Sequence, residues 1–274
     1  MTTKMAKLSN LRIVLVEPAG ALNVGSVARV MKNMGLGQLI LVQPHCDRNS
    51  DEARQMAVHG IDILEGAIEV NSLPEALKGC HRAIATTSRS RTLATPLESP
   101  RIALPWLLEE NLTSALIFGP EDRGLSNVEL NYAQRFVGIP ANPEYPSLNL
   151  AQAVAVCSYE LYQIALEQEG ESARSIPSSR TDVATLDALE GYYQHLESVL
   201  LRMGYLYPHT AAARMEKFRS LYNRANLSHE ELALLRGILG HLDWILQLVP
   251  ARREREIGGR GDKGELGEWE TTNN

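Results

Sequence analysis

The sequence predicts an α/β domain on a largely parallel sheet, followed by a small all-α domain. Three observations carry this. Short β-rich runs alternate with helical runs through residues 1–167, the pattern of repeated βα units that sets parallel strands side by side. Over residues 183–250 the strand signals stop and three helical periods follow. Between the two lies a polar stretch, 168–182, rich in Ser and Glu, with the composition of a linker. At 274 residues the chain has room for both parts.

Taken in order, strands are expected at Arg12–Val16, Leu39–Val42, Ile68–Val70, Ala83–Thr87, Ala115–Phe118 and Phe136–Ile139, with Ile68–Val70 the weakest signal. Helical patterns fall at about Val24–Met34, Asp51–Val58, Leu73–Lys78, Ile102–Glu110, Ser126–Ala133 and Leu150–Glu167. Ser126 and Glu129 stand at capping-box spacing, which marks a helix start just after a Gly-rich loop. Past the linker, helices are expected at Val183–Tyr205, Ala211–Asn223 and Glu230–Val249, the last with a second capping box at Ser228 and Glu231. Residues 251–274 lack an apolar period and read as a disordered tail.

Composition excludes several classes. Hydrophobic residues at 44% and charged residues at 22% describe a folded chain. No run reaches the roughly 18 apolar residues of a membrane span, and the polar N-terminus has no signal-peptide core. Cys46, Cys80 and Cys157 are odd in number and form no CxxC pair, so reduced thiols and a cytoplasmic location are expected. The histidines show no ligand spacing, so no metal site is expected. Gly259, Gly261 and Gly264 satisfy GxGxxG, but without the strand and helix that a dinucleotide site requires. The sequons at Asn111 and Asn226 lack a secretory context.

Three loops at expected strand ends are richer in chemistry, and ligands of open α/β sheets bind at such ends. In the first, residues 18–29, Asn23 or a neighbour could cap a helix. Gly25 and Ala28 there allow close backbone approach, and Arg29 lies a turn or so inside. The second runs 116–126, from a strand through Gly119, Pro120, two acids, Arg123 and Gly124 into the capped helix. In the third, 137–151, three prolines stiffen the chain before Ser147-Leu-Asn149 enters an Ala-rich helix. Each of the first two alone also reads as an ordinary connection.

Together, Asn23-Val-Gly-Ser-Val-Ala-Arg29, Phe118-Gly-Pro-Glu-Asp-Arg-Gly-Leu125 and Asn142-Pro-Glu-Tyr-Pro-Ser-Leu-Asn149 resemble the three motifs of the SPOUT class of RNA methyltransferases. Within it they resemble the TrmH-like branch and its TrmJ family. The resemblance implies a trefoil knot in the C-terminal part of the α/β domain, against the general rarity of knots. It also implies S-adenosylmethionine as cofactor and a homodimer whose active site draws on both chains. Carried over by position, the cofactor would contact Thr87, Ser88 and Arg89 at one strand end, and Gly119 and Glu121 in the second loop. In the third it would contact Ile139, Ser147, Leu148 and Asn149. Arg29 would hold the target phosphate and stabilise the developing alkoxide, because a guanidinium with a pKa above about 12 is a poor base. Asn23 and Ser147 would position the ribose. The substrate implied is tRNA, methylated on the ribose of cytidine or uridine 32 in the anticodon loop. Another tRNA or rRNA nucleotide, or a silent RNA-binding protein keeping the fold, are the alternatives.

A net charge of −6 argues mildly against a nucleic-acid partner. Local clusters matter more, since charges are screened over about 8 Å. Arg89 and Arg91 share a Ser/Thr-rich loop, and Arg214, Lys217, Arg219 and Arg224 lie in one helical run beside a single acid, Glu216. Met215, Phe218, Leu221 and Tyr222 form the apolar stripe of that run. These cations are the candidate RNA contacts, in a domain suited to reading RNA by shape and backbone.

Overall fold

The computed structural model describes residues 8–88, 97–109, 111–171 and 182–248. Its strands are β1 (Leu11–Val16), β2 (Gln38–Val42), β3 (Ile68–Val70), β4 (Arg82–Thr86), β5 (Leu97–Glu98), β6 (Ser114–Phe118) and β7 (Arg135–Val137). They form one seven-stranded sheet in the order β3-β2-β1-β6-β4-β7-β5, and every pairing is parallel. The apolar runs of the central strands follow from this, since a parallel sheet is covered on both faces. In β1, Leu11, Ile13 and Leu15 enter one core and Val14 and Val16 the other.

The first face is covered by α1 (Ala21–Asn33) and α7 (Leu150–Glu171), with Val24, Val27 and Met31 of α1 against Val154, Cys157 and Leu161 of α7. Two short helices, α2 (Asp51–Ala57) and α3 (Ile61–Glu65), pack beside α1. The approach is close: a Cβ on Gly25 would lie 2.2 Å from the Ala53 carbonyl oxygen, and one on Gly60 2.7 Å from that of Ala28. The second face is covered by α4 (Leu73–Ala76), α6 (Asn127–Leu130) and the long α8 (Leu186–Arg202). Helices α9 (Ala211–Ala225) and α10 (His229–Leu248) pack on α8.

The expected strands and most expected helices form, shifted by a few residues at their ends. The helix expected at Ile102–Glu110 is instead α5 (Pro100–Ala103) followed by a 3₁₀ turn over Leu104–Leu108, since Pro105 cannot continue the α-helical ladder. The two-residue β5 and the five-residue α3 were not expected; neither is long enough to show a period. Helix α7 runs to Glu171, into the stretch expected to be linker. The all-α part is continuous with the second face of the sheet: Leu186 N–H donates to Cys80 O at 2.7 Å, and Gly79 N–H to Asp187 Oδ1 at 2.9 Å. The expected tail at 251–274 lies outside the described residues. All three cysteines are free, and burial raises the Cys80 thiol to about 11 and Cys157 to about 12. Among the described residues no helix is long and apolar enough to cross a membrane.

Candidate active site

Strand β6 lies between β1 and β4, and β7 lies beyond β4. Because all are parallel, the loops that follow them emerge at one edge of the sheet, where the strand order reverses. The loop after β6 turns back sharply: a Cβ on Gly119 would lie 2.4 Å from the Leu125 nitrogen, and Gly124 has φ +65°, a conformation that favours glycine. Ser126 and Glu129 then form the expected capping box of α6.

One side chain ties three loops together. Asn23, in the first turn of α1, donates its Nδ2 to Glu121 Oε1 at 2.8 Å and accepts at Oδ1 from Asn149 Nδ2 at 2.9 Å. Asn149 Oδ1 accepts from the Ala151 N–H at 2.9 Å and so caps α7. The orientation is fixed by its two ends. An ionised carboxylate can only accept and a backbone N–H can only donate, so each amide between them has one permitted direction. Glu121 also accepts from the Ala19 N–H at 3.0 Å and the Gly20 N–H at 3.3 Å. Burial alone would raise its carboxyl, but these hydrogen bonds hold it below its ordinary range.

A second fastening was not foreseen. Arg123 pairs with Glu17 at 2.7 Å and with Glu129 at 2.9 Å. Glu17 follows β1 with φ 46°, so the chain leaves the strand in a sharp turn while its carboxylate reaches the loop after β6. Glu129 thus serves its helix cap and the arginine together. Arg123 is visible in the motif, but its partners lie on other segments, and no local spacing reveals them.

Between the loops after β4, β6 and β7 lies a cleft, open on one side. Phe118, Val137, Leu148 and Leu150 give it an apolar wall. Of the expected cofactor contacts, Thr87, Ser88, Gly119, Glu121, Ile139, Ser147 and Leu148 line it. Thr87 is set in place by its N–H, which donates to Val137 O at 2.9 Å. Asn149 is not part of the lining: its side chain caps α7 and holds Asn23. The Asn23 amide is engaged at both ends in this relay and orders the loops, with one N–H and one oxygen lone pair left over. Arg89 and Arg91 lie outside the described residues.

Arg29 is exposed, and its side chain has no ion pair or hydrogen bond among the described residues. Six residues beyond Asn23, it projects about 120° around α1 from it and does not line the cleft. In α9, Arg214, Lys217 and Arg224 are exposed. Arg219, expected to meet RNA, is instead committed internally. It pairs with Glu190 of α8, each side chain only 18% exposed, and its guanidinium lies over the rings of Tyr193 at 4.6 Å and Tyr132 at 5.6 Å. Leu221, expected in the apolar stripe, is 50% exposed, whereas Met215 is buried.

Comparison with known proteins bears on this geometry. A model of the SpoU rRNA Methylase family matches residues 10–159, and one of the tRNA methyltransferase TrmJ C-terminal domain matches 187–256. A Pseudomonas aeruginosa protein named tRNA (cytidine/uridine/adenosine-2'-O-)-methyltransferase TrmJ is 42% identical over 240 residues, 85% of this chain and 93% of that one. The chain belongs to the TrmJ family of SpoU-type methyltransferases. Another member, the tRNA (cytidine/uridine-2'-O-)-methyltransferase TrmJ of Escherichia coli K12, is 42% identical over 86% of this chain and 96% of its own. The crystal structure of TrmJ from Z. mobilis ZM4 superposes with a TM-score of 0.74 at 30% identity, covering 85% of this chain and 98% of that one. A probable methylase family protein from Haemophilus influenzae gives 0.59 at 34% identity, covering 88% and 99%. The TrmJ-family match thus takes in the helical part as well as the sheet.

Proposed function

We propose that the chain is a cytoplasmic, S-adenosylmethionine-dependent tRNA 2′-O-ribose methyltransferase, acting as a homodimer on cytidine or uridine 32 of the anticodon loop. One observation carries the reading: the second and third motif loops, far apart in sequence, line one cleft, and Asn23 of the first ties both together beside it. Support comes from relatives named for 2′-O-methyl transfer to tRNA nucleosides.

The cleft suits the cofactor. Its apolar wall accepts a flat purine, and the folded-back loop after Gly119 brings backbone groups to its edge. Asp122 lines it without a partner of its own among the described residues and offers an anion to a positively charged ligand. When bound, S-adenosylmethionine supplies the activated methyl; the protein's task is to bind, orient and manage the 2′-OH proton. Ser147, exposed at the cleft, positions the ribose. Arg29 holds the target phosphate and stabilises the alkoxide as it forms. Since Arg29 is exposed and does not line its own cleft, this reading assigns it to that of the second protomer. The same reading makes the segment through β6 and β7 a trefoil knot. In support, residues 146–148, after β7, share one cleft with the chain leaving β4 and β6, and Asn149 reaches α1.

Transfer of labelled methyl to unmodified tRNA, followed by mapping of 2′-O-methyl groups, tests the assignment. Label at nucleotide 32 is expected; label at another tRNA or an rRNA nucleotide would redirect it, and absence of cofactor binding in calorimetry would leave a silent RNA-binding protein. Arg29→Ala is expected to abolish transfer while keeping cofactor affinity near wild type. Loss of cofactor affinity in that variant would contradict the role given to Arg29.

A further inference from the structure

The loop between α8 and α9, residues 203–210, presents two aromatic rings to solvent on a rigid support. Gly204 at φ +77° turns the chain out of α8. Leu206, 1% exposed, then anchors the loop in the core, so the residues on either side of it face outward: Tyr205 is 54% and Tyr207 53% exposed. The backbone is pinned at both ends. The N–H groups of Tyr205 and Leu206 both donate to Leu200 O, at 3.0 and 3.1 Å, and those of Thr210 and Ala211 to Tyr207 O, each at 2.9 Å. Tyr207 stacks on His209, ring centroids 5.9 Å apart and planes 22° from parallel. Arg214 donates to Tyr205 O at 3.0 Å and sets its guanidinium 5.6 Å from the Tyr205 ring centroid.

Tyrosines packed for stability alone bury their rings, as Tyr192 and Tyr193 of α8 do. Held rigid and exposed, a ring loses little further entropy when a flat partner lies on it. The surroundings select the partner. The first turn of α9 has no acid, Arg214 and Lys217 are exposed beside a single acid, Glu216, and Lys217 has no partner among the described residues. Flat rings next to cations match a chain of bases and phosphates, and unpaired nucleotides are the form of RNA whose bases can leave their own stack.

We propose that Tyr205 and Tyr207 form a stacking platform for unpaired bases of the RNA substrate, with Arg214 and Lys217 holding the adjoining phosphates. This rests on the reading of the chain as a tRNA-modifying enzyme. It gives the helical part a specific contact, distinct from the catalytic cleft and from the committed Arg219.

The test uses the full chain and fluorescence anisotropy with labelled unmodified tRNA, alongside a fully paired RNA duplex. The double variant Tyr205→Ala/Tyr207→Ala is expected to bind tRNA at least about 30-fold more weakly. Duplex affinity and cofactor affinity stay at wild-type values, and Tyr205→Phe/Tyr207→Phe, which keeps the rings, binds tRNA like wild type. Lys217→Ala is expected to lower the slope of log affinity against log salt by about one, and the tyrosine variants to leave it unchanged. Wild-type tRNA affinity in the alanine variant overturns the platform, as does an equal loss in the phenylalanine variant. An alanine variant that binds tRNA normally but loses self-association also overturns it, making the loop a protein contact. Failure of the wild-type chain to bind tRNA at all overturns the parent reading, and the platform with it.

Discussion

At the scale of single residues, Asn23 shows how an amide can do what a charged residue could not. It must donate to Glu121 and accept from Asn149 at once. Asn23→Ala loses both bonds at a cost of about 1–2 kcal/mol. Asn23→Asp should cost more, because it sets one carboxylate against another, and its deficit should shrink in acid as the pair takes up a proton. Chemical denaturation across pH compares the two; equal deficits at every pH would contradict the fixed direction of the relay. Glu121 itself gives a second outcome. Its folded carboxyl titrates below the ordinary 4.5, so it contributes stability that is complete above that value and is lost as pH falls through the lower, folded one. In Glu121→Gln that part of the acid-side decline should vanish. The residues of this relay stand out in the sequence, but their roles do not. Asn23 and Asn149 were both legible as motif positions and both expected at a ligand. Their partners lie 98 and 126 residues apart, a distance over which no local pattern operates. Arg219 is the same case: a basic residue on a helix reads as solvent-facing until Glu190 and two tyrosines are seen around it.

Among the elements, what the sequence reveals is what local physics decides. The strands of the sheet follow from branched runs between polar turns, and both capping boxes form, at Ser126 with Glu129 and at Ser228 with Glu231. Helix α1 departs from expectation for a tertiary reason. It begins at Ala21 with Gly20 at its cap and no side-chain cap, because Glu121 supplies acceptors to the Ala19 and Gly20 N–H groups from across the fold. Close packing of elements also makes its glycines sensitive. A methyl on Gly25 meets the backbone of Ala53 and one on Gly119 meets that of Leu125, neither of which can swing aside as a side chain would. Each Gly→Ala change should destabilise by about 1–3 kcal/mol. Gly119→Ala should in addition lose cofactor binding, while Gly25→Ala keeps it at temperatures where it stays folded. Calorimetric titration beside thermal melting separates the two effects.

For the whole molecule, the polar stretch suggested two separate domains, and the structure shows α8 sealing the second face of the sheet. Leu189, Tyr192 and Leu196 share a core with Val14, Val16 and Ile117. Arg219 with Glu190, and Asn223 donating to Asn131 O at 3.3 Å, add polar fastenings between α8, α9 and the sheet domain. Composition could not show this, because a polar connection is compatible with a docked domain and with a free one. The placement of Arg29 makes a prediction at this scale too. Protomers carrying Arg29→Ala and protomers carrying Gly119→Ala are each expected to be inactive alone. Mixed and allowed to exchange subunits, they should recover about a quarter of wild-type activity, since about half the dimers then hold one intact site of two. No recovery would place Arg29 in its own protomer's cleft.

The relay through Asn23 also sets an order of events at the ribosome. At about 5–20 residues per second, Asn149 is made roughly 6–25 s after Asn23, given the 126 residues between them. Helix α1 and its neighbouring strands can form in that interval, whereas the cleft cannot. A nascent chain can therefore form α1 and its neighbouring strands before it has a binding site.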